Sequence, residues 1–427
     1  MNSAKMLEYI KLGSLDTRLC EIYPTASLDE VKDRYIRAIR EFESLYGGER
    51  DVSLFSVPGR TELSGNHTDH NRGCVIAASV DLDIIAVVAR RDDAIISVKS
   101  EGFPKDTVNL AEYTAPNSAF FGRSASIIAG VCAGFSKGGY AVGGFDAYTT
   151  SSVPGGSGLS SSAAFENMIG TILSHLYNEG KLPPVEIAKI SQYAENVFFG
   201  KPCGLMDQIA CAVGGIVAID FADPSAPVVE SIPFDISKAG YALCIVSTGG
   251  SHADLTEEYA AIPGEMRAAA SALGADVLRQ TTKDELIAAI PALRDRVGDR
   301  AILRALHFFE ENERVAEQKQ ALCAQDLDKF LELVKSSGRS SFCYLQNVYT
   351  NKSPEEQGLS IALCLAEIYL NDKRAAWRVH GGGFAGTIQV LLPKVEAEPF
   401  KAVIDSAFGK ESAKILHVRA SGASKVI

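Results

Sequence analysis

The sequence predicts an α+β chain folded as two domains, on three observations. It has 427 residues, more than one ordinary hydrophobic core serves. Segments with strand-like and helix-like apolar spacing come in mixed order, not in the regular alternation of a doubly wound sheet. Hydrophobic residues make up 46% and charged residues 22%, the balance of a globular protein with a sizeable core.

Ser27-Leu28-Asp29-Glu30 has capping-box spacing, which predicts a helix to Tyr46, ended by Gly47 and Gly48. Residues 54–57 read as a strand leading into a glycine-rich loop over 58–71. Residues 75–80 and 83–90 read as a buried strand pair, separated where Asp81 and Asp83 interrupt the apolar run, and 95–99 as another strand. Residues 145–150 form a strand that runs directly into a second glycine loop over 153–162. Beyond it Ala164, Met168, Ile172 and Leu176 recur every four residues beside Phe165, Ile169 and Leu173, which predicts a buried helix. A second helix starts after Pro183-Pro184, carries Glu195 and breaks at 200–204. Residues 216–221 read as a strand, and the domain boundary is expected there, giving domains 1–215 and 216–427. The second half offers a strand at 241–247, helices through Val334 and over 355–370, strands approaching and leaving a third glycine run at 381–386, a helix over 399–408 and a closing strand over 414–418.

The bulk numbers exclude several functions. A net charge of −11 argues against a broad nucleic-acid or anionic-membrane surface. No segment reaches the roughly 18 uninterrupted apolar residues of a membrane span. The first residues carry charge before any apolar run, so no signal peptide is expected. Nine cysteines without a Cys-x-x-Cys pair fit neither a disulfide framework nor a zinc site, and point to a reducing cytoplasm. The expected partners are small molecules, with no nucleic acid, no membrane, and a monomer or weak homodimer.

Three glycine-rich runs mixed with Arg, Asp, His and Ser point to loops that meet at one site. The second sits between a strand and a helix N-terminus, where free amides and the helix dipole favour anions. It lacks the Gly-Lys-Ser/Thr ending of a Walker A loop. Its amides can still wrap a triphosphate and its serines can reach Mg²⁺; a serine-capped turn opening a core helix is the plain alternative. The first run offers Arg60, His67, Asp69 and His70, which suit a metal, a sugar's hydroxyls or merely a capped loop. Asp207, taken alone, reads as a helix cap, and Glu195 as a helix surface residue.

In this order the runs resemble the sugar-kinase branch of the GHMP small-molecule kinases, the galactokinase family. The pattern Pro-Gly-Arg-x-x-x-x-Gly-x-His-Thr-Asp-x-Asn is met over 58–71. Gly158-Leu159-Ser160-Ser161-Ser162-Ala163 resembles the family's ATP loop, and Cys203-Gly204-Leu205-Met206-Asp207-Gln208 is close to its Cys-Gly-Ile-Met-Asp-Gln run. The third run resembles the remaining motif. The resemblance implies an N-terminal S5-like α/β domain and a C-terminal ferredoxin-like α+β domain. It implies ATP and Mg²⁺: Gly156, Ser157, Gly158, Leu159, Ser160, Ser161 and Ser162 on the phosphates, Ser100 near the nucleotide, Ser162 and Glu195 on the metal. It further implies Asp207 acting on a sugar's C1 hydroxyl with Arg60 beside it, and Asn66, His67, Thr68, Asp69, Gly204 and Tyr259 around the sugar.

The chain departs from the family at Glu62, Asn66, His70 and Ala385, where Asn, Glu, Tyr and Gly are usual. Asn66 is neutral and would tolerate a C6 carboxylate that Glu would repel. Galactose is the expected substrate, galacturonate the second, and a silent sugar sensor the third reading.

Overall fold

The computed structural model describes residues 1–427 other than Thr25, Tyr113, Thr114, Gly156, Ser157 and 251–254. Three helices come first: α1 (Ser3–Lys11), α2 (Asp16–Ile22) and α3 (Leu28–Tyr46). Ser27 Oγ accepts from the Glu30 amide, and Gly47 (φ +88°) ends α3. The helical spacing of Val31, Tyr35, Ala38 and Phe42 gives α3 one apolar face, which packs with α1 and α2 against a sheet.

That sheet has eight strands: β1 (Ser53–Ser64), β2 (Cys74–Arg90), β3 (Ile95–Ser100), β4 (Lys105–Asn109), β5 (Phe145–Ser151), β6 (Ile216–Asp220), β7 (Val228–Ile232) and the short C-terminal Ser424–Lys425. Only β3 and β5 pair in parallel. The other face of the sheet is covered by α4 (Ser124–Lys137), α5 (Ser161–Tyr177) and α6 (Pro184–Tyr193). Helix α6 continues as a π-helical turn, Ala194–Phe199, and α7 (Met206–Val213) follows.

Two expectations are corrected here, and the extent of the first sheet is set. Residues 58–64 are strand, not loop: β1 runs through them with irregularities at Pro58/Arg60 and Glu62/Ser64, so Pro58 sits at a bulge where its missing N–H does not break the ladder. Residues 74–90 are one strand, not two. Both interrupting aspartates find distant partners: Asp81 Oδ1 accepts from the His417 amide at 3.0 Å. Fully buried Asp83 accepts from Arg34 at 2.5 Å, Tyr23 at 2.5 Å, Arg419 at 3.2 Å and Ser56. Burial opposes that charge, but Arg34 and Arg419 outweigh it and hold the carboxyl below its usual range. Finally, the first sheet passes the expected boundary at 215/216, because β6 pairs with the Cys74–Ala78 half of β2 and carries β7 with it.

The second half is built on a four-stranded antiparallel sheet in the order β11-β8-β10-β9. Its strands are β8 (Tyr241–Ser247), β9 (Ala376–His380), β10 (Thr387–Pro393) and β11 (Ala413–Leu416). Between β8 and β9 come α8 (Thr256–Ala272), α9 (Lys283–Val297), α10 (Asp299–Cys323), α11 (Leu327–Ser340) and α12 (Gly358–Leu370). Helix α13 (Lys394–Phe408) follows β10 and starts five residues before the expected Pro399. Helices α12 and α13 cover one face of this sheet. The other face shares a core with the first sheet, in which Leu63, Ile76 and Ile216 pack with Leu243, Phe330 and Leu391. That common core brings the first and third glycine runs together.

Candidate active site

Arg60 and Asp207, 147 positions apart in the chain, form a two-point ion pair. Arg60 Nε donates to Asp207 Oδ1 at 2.6 Å and Nη2 to Oδ2 at 2.6 Å. The remaining arm, Nη1, donates to the Gly158 carbonyl, and the Arg60 amide donates to the Leu159 carbonyl at 3.1 Å. Ser160 Oγ donates to Asp207 Oδ2. One arginine therefore ties the sugar-signature strand, the second glycine loop and the first turn of α7 together. The Asp207 side chain keeps 32% of its surface open, which leaves it reachable from the cleft. Desolvation pushes its pKa up, but the Arg60 charge and hydrogen bonds prevail and hold it below the usual carboxylate value.

The turn after β1 carries the remaining sugar-signature residues. Gly65 has φ +91° and His67 φ +60°; a Cβ at Gly65 would stand 2.5 Å from the Cys74 carbonyl. Three successive carbonyls of the third glycine run accept from this turn and from α8. Asn66 Nδ2 donates to Gly381 O at 2.7 Å, His67 Nε2 to Gly382 O at 3.0 Å, and Tyr259 Oη to Gly383 O at 2.9 Å. Because a carbonyl only accepts, His67 carries its proton on Nε2, which leaves Nδ1 an acceptor. Burial brings this imidazole down to about 4, so it is neutral at physiological pH. Asp69 sits against Gly204: a Cβ there would lie 2.3 Å from Asp69 Oδ2, so a larger residue would displace that carboxylate.

Two of the expected sugar contacts lie in the interior. Asn66 is fully buried; its amide donates also to Glu62, and its Oδ1 accepts from Asn347 at 2.8 Å and Ser341 at 3.3 Å. Thr68 is fully buried and donates to the Gly65 and Cys74 carbonyls. Both shape the turn from behind. Glu62 in turn pairs with buried Arg378, so the carboxylate that the family usually carries at the Asn66 position stands four residues earlier here, beside its own cation.

In the second loop, Gly156 and Ser157 lie outside the described residues. Gly158 has φ +72° and Ser160 φ +57°. The Leu159 side chain is in the core, leaving only its backbone to the cleft. Ser160 does not cap α5, since its hydroxyl is engaged by Asp207, and the first-turn amides of α5 remain for an anion. Ser161 is half-buried and Ser162 exposed. Ser100, at the end of β3, accepts from Thr149 Oγ1 at 2.9 Å, and no hydrogen bond among the described residues joins it to Asp207.

Glu195 is 3% exposed, turned inward by the π-helical turn. Its Oε1 accepts from Lys201 at 2.9 Å and its Oε2 from Gln208 at 2.9 Å. The second Gln208 N–H serves Glu166, fully buried on α5, at 3.0 Å. Burial first, and the Glu195 charge second, push Glu166 well above its usual range.

Sequence reasoning missed Ser160 as a partner of Asp207, Gln208 as a bridge between two acids, and Arg378 as the partner of Glu62. The Gln208 signal was visible as a polar residue directly after the candidate base; the other two carried none.

The chain matches the description "GHMP kinases N terminal domain" over residues 126–215 and "Galactokinase galactose-binding signature" over 40–90. It is 32% identical over 378 residues to a galactokinase from Streptomyces coelicolor, covering 87% of this chain and 92% of the relative. It is 30% identical over 400 residues to a galactokinase from Homo sapiens, covering 92% and 97%. Among solved structures, Lactococcus lactis galactokinase complexed with galactose superposes with a TM-score of 0.75 at 24% identity, covering 90% of this chain and 98% of that one. A mevalonate kinase superposes with a TM-score of 0.59 at 17% identity, covering 86% and 99%.

Proposed function

The chain belongs to the galactokinase family of GHMP kinases, and from that premise we propose that it transfers the γ-phosphoryl group of ATP to the C1 hydroxyl of galactose, giving galactose 1-phosphate and ADP. The observation that carries the reading is the Arg60–Asp207 pair, which joins the sugar-signature strand to the second glycine loop.

Phosphoryl transfer asks a protein chiefly for positioning and charge neutralisation. The first-turn amides of α5 receive the phosphates. Asp69, His67 and Tyr259 line the sugar side, with Gly204 giving Asp69 its room. A carboxylate has about four lone-pair sites, so Asp207 keeps acceptor capacity for the sugar hydroxyl while Arg60 and Ser160 hold it. With its pKa lowered, Asp207 takes the proton as the new O–P bond forms, not beforehand. Arg60 fixes the carboxylate's plane and sets it against the phosphate loop.

Mg²⁺ fits the residues present. Glu195 and Ser162 offer hard oxygen donors, and no group of three metal-binding side chains occurs among the described residues, as expected of an ion held largely by phosphates and water. When bound, Mg²⁺ neutralises charge on the β- and γ-phosphate oxygens. Lys201, 61% exposed, is free to swing off Glu195 to admit it.

A uronate substrate is disfavoured, because the buried Arg378 behind Asn66 already pairs with Glu62. No helix among the described residues is long and apolar enough to cross a membrane, and all nine cysteines are free thiols, which supports a cytoplasmic location.

The test is ADP release with galactose, galacturonate, N-acetylgalactosamine, glucose and arabinose. Galactose is expected to give the highest turnover, and Asp207→Ala to lower it by about 10³-fold or more with ATP binding kept. Release with galacturonate alone overturns the substrate, and a fully active Asp207→Ala overturns the base. Tight binding of sugar and ATP without ADP returns the sensor reading.

A further inference from the structure

Helix α10 carries Arg304, His307, Glu311, Arg314 and Gln318 at alternating steps of three and four, the spacing of a helix's inward stripe. All five are buried, four of them at 0% exposure. Such a stripe is ordinarily apolar, because a polar group out of water is costly unless it finds a partner. Three of these side chains find theirs on the backbone and side chains at the end of β1 and in the turn that follows.

Gln318 Oε1 accepts from Ser64 Oγ. Glu311 Oε1 accepts from the amides of Gly65 at 3.2 Å and Asn66 at 3.4 Å, and from Ser337 Oγ at 2.6 Å. Its Oε2 accepts from Arg314. His307 Nε2 lies 2.9 Å from the Asn66 carbonyl, and its Nδ1 2.8 Å from Ser340 Oγ. The carbonyl can only accept, so the proton is on Nε2, and Ser340 donates to Nδ1. Next to the stripe, Asn312 Oδ1 accepts from the Cys74 amide at 2.7 Å, at the far side of the turn. Both backbone groups of Asn66, and the amide before it, are thus held by one helix of the second half.

We propose that His307 and Glu311 are positioning residues for the sugar: α10 grips the 65–66 backbone so that the left-handed His67 and, two residues on, Asp69 face the substrate. The proposal rests on the reading that His67 and Asp69 line the sugar. The left-handed conformation of His67 is unfavourable for a residue with a Cβ and persists only if its surroundings impose it. Among the described residues, no hydrogen bond joins the second glycine loop to this bracket. Loosening the bracket should therefore weaken sugar binding and leave ATP binding alone.

The experiment is steady-state kinetics with sugar and ATP varied separately, on His307→Ala, His307→Gln and Ser340→Ala. His307→Ala is expected to raise the sugar KM by about 10- to 100-fold and the ATP KM by less than about twofold. His307→Gln keeps an N–H that can reach the Asn66 carbonyl and should recover most of the loss. Ser340→Ala removes the donor to Nδ1, one of the two contacts that fix the imidazole tautomer; a several-fold rise in sugar KM is expected, with mixed tautomers in the ¹⁵N spectrum of the ring. An unchanged sugar KM in a cooperatively melting His307→Ala overturns the proposal, as does an equal rise in both KM values. If His307→Ala does not fold, Ser340→Ala decides: an unchanged sugar KM with mixed tautomers overturns the bracket. A wild-type protein that prefers another sugar sinks the substrate assignment instead, and the same split is then read with that sugar.

Discussion

Asp207 and Gln208 are neighbours at the start of α7, yet they look onto two acidic centres of opposite character. Asp207 meets Arg60 and is held ionised, its pKa lowered. Gln208 meets Glu166, a carboxyl with a neutral amide for its partner and another acid close by, whose pKa is raised. Both carboxyls are penalised by removal from water, so burial alone does not decide their charge. The partner decides it: a guanidinium outweighs desolvation and a carboxamide does not. The difference leaves a carboxyl with a lowered pKa on one side of α7 and one with a raised pKa on the other.

The largest break in this comparison comes from removing the cation. Arg60→Met is expected to lower kcat by about 10²- to 10³-fold, the scale of losing a charge-orienting donor. It should also move the acid limb of the pH–rate profile to higher pH, because Asp207 then titrates as a desolvated acid. A limb that stays in place shows that Asp207 does not govern it. Gln208→Leu comes next. It removes the donor shared by Glu166 and Glu195, and chemical denaturation should register a loss of about 1–3 kcal/mol. Unchanged stability would show that the two acids do not depend on that amide.

The smallest effect is expected from Glu166→Gln, with turnover within about threefold of wild type if this carboxyl already behaves as a neutral group. Its signature lies in the pH dependence of stability. A raised folded pKa means that the Glu166 contribution is complete below the unfolded value of about 4.3 and is lost as pH climbs towards the folded one. The variant should lack that decline in melting temperature. Asp207 has the reverse sign: its contribution is present above its unfolded value of about 3.9 and lost on acidification through the folded one. A decline with rising pH that survives in Glu166→Gln must be assigned to another group.

Much of the site was legible as sequence, for local reasons. The turn at Gly65 needs a positive φ, and the strand–loop–helix at 145–177 needs glycines and then an apolar face at four-residue spacing. These demands are written within a few residues of where they act. The misreadings have the opposite origin. Asp81 and Asp83 look like breaks in an apolar strand because their partners, His417, Arg34 and Arg419, lie far away in the chain. The enclosure of Asn66 has the same distant origin, since Asn347 and Gly381 make it.

The sequence by itself determined which segments turn, which helices bury one face, and which residue types could meet a phosphate and a sugar. Short-range geometry dictates those things, since backbone sterics and the 2.0- and 3.6-residue periods act over a few bonds. Only the tertiary structure decided which carboxyl has its pKa lowered and which raised, which asparagine is enclosed and which helix of the second half grips the turn after β1. Those outcomes depend on desolvation and on the charge of a neighbour within a few ångströms, and such neighbours are set by the packing of two sheets on one core.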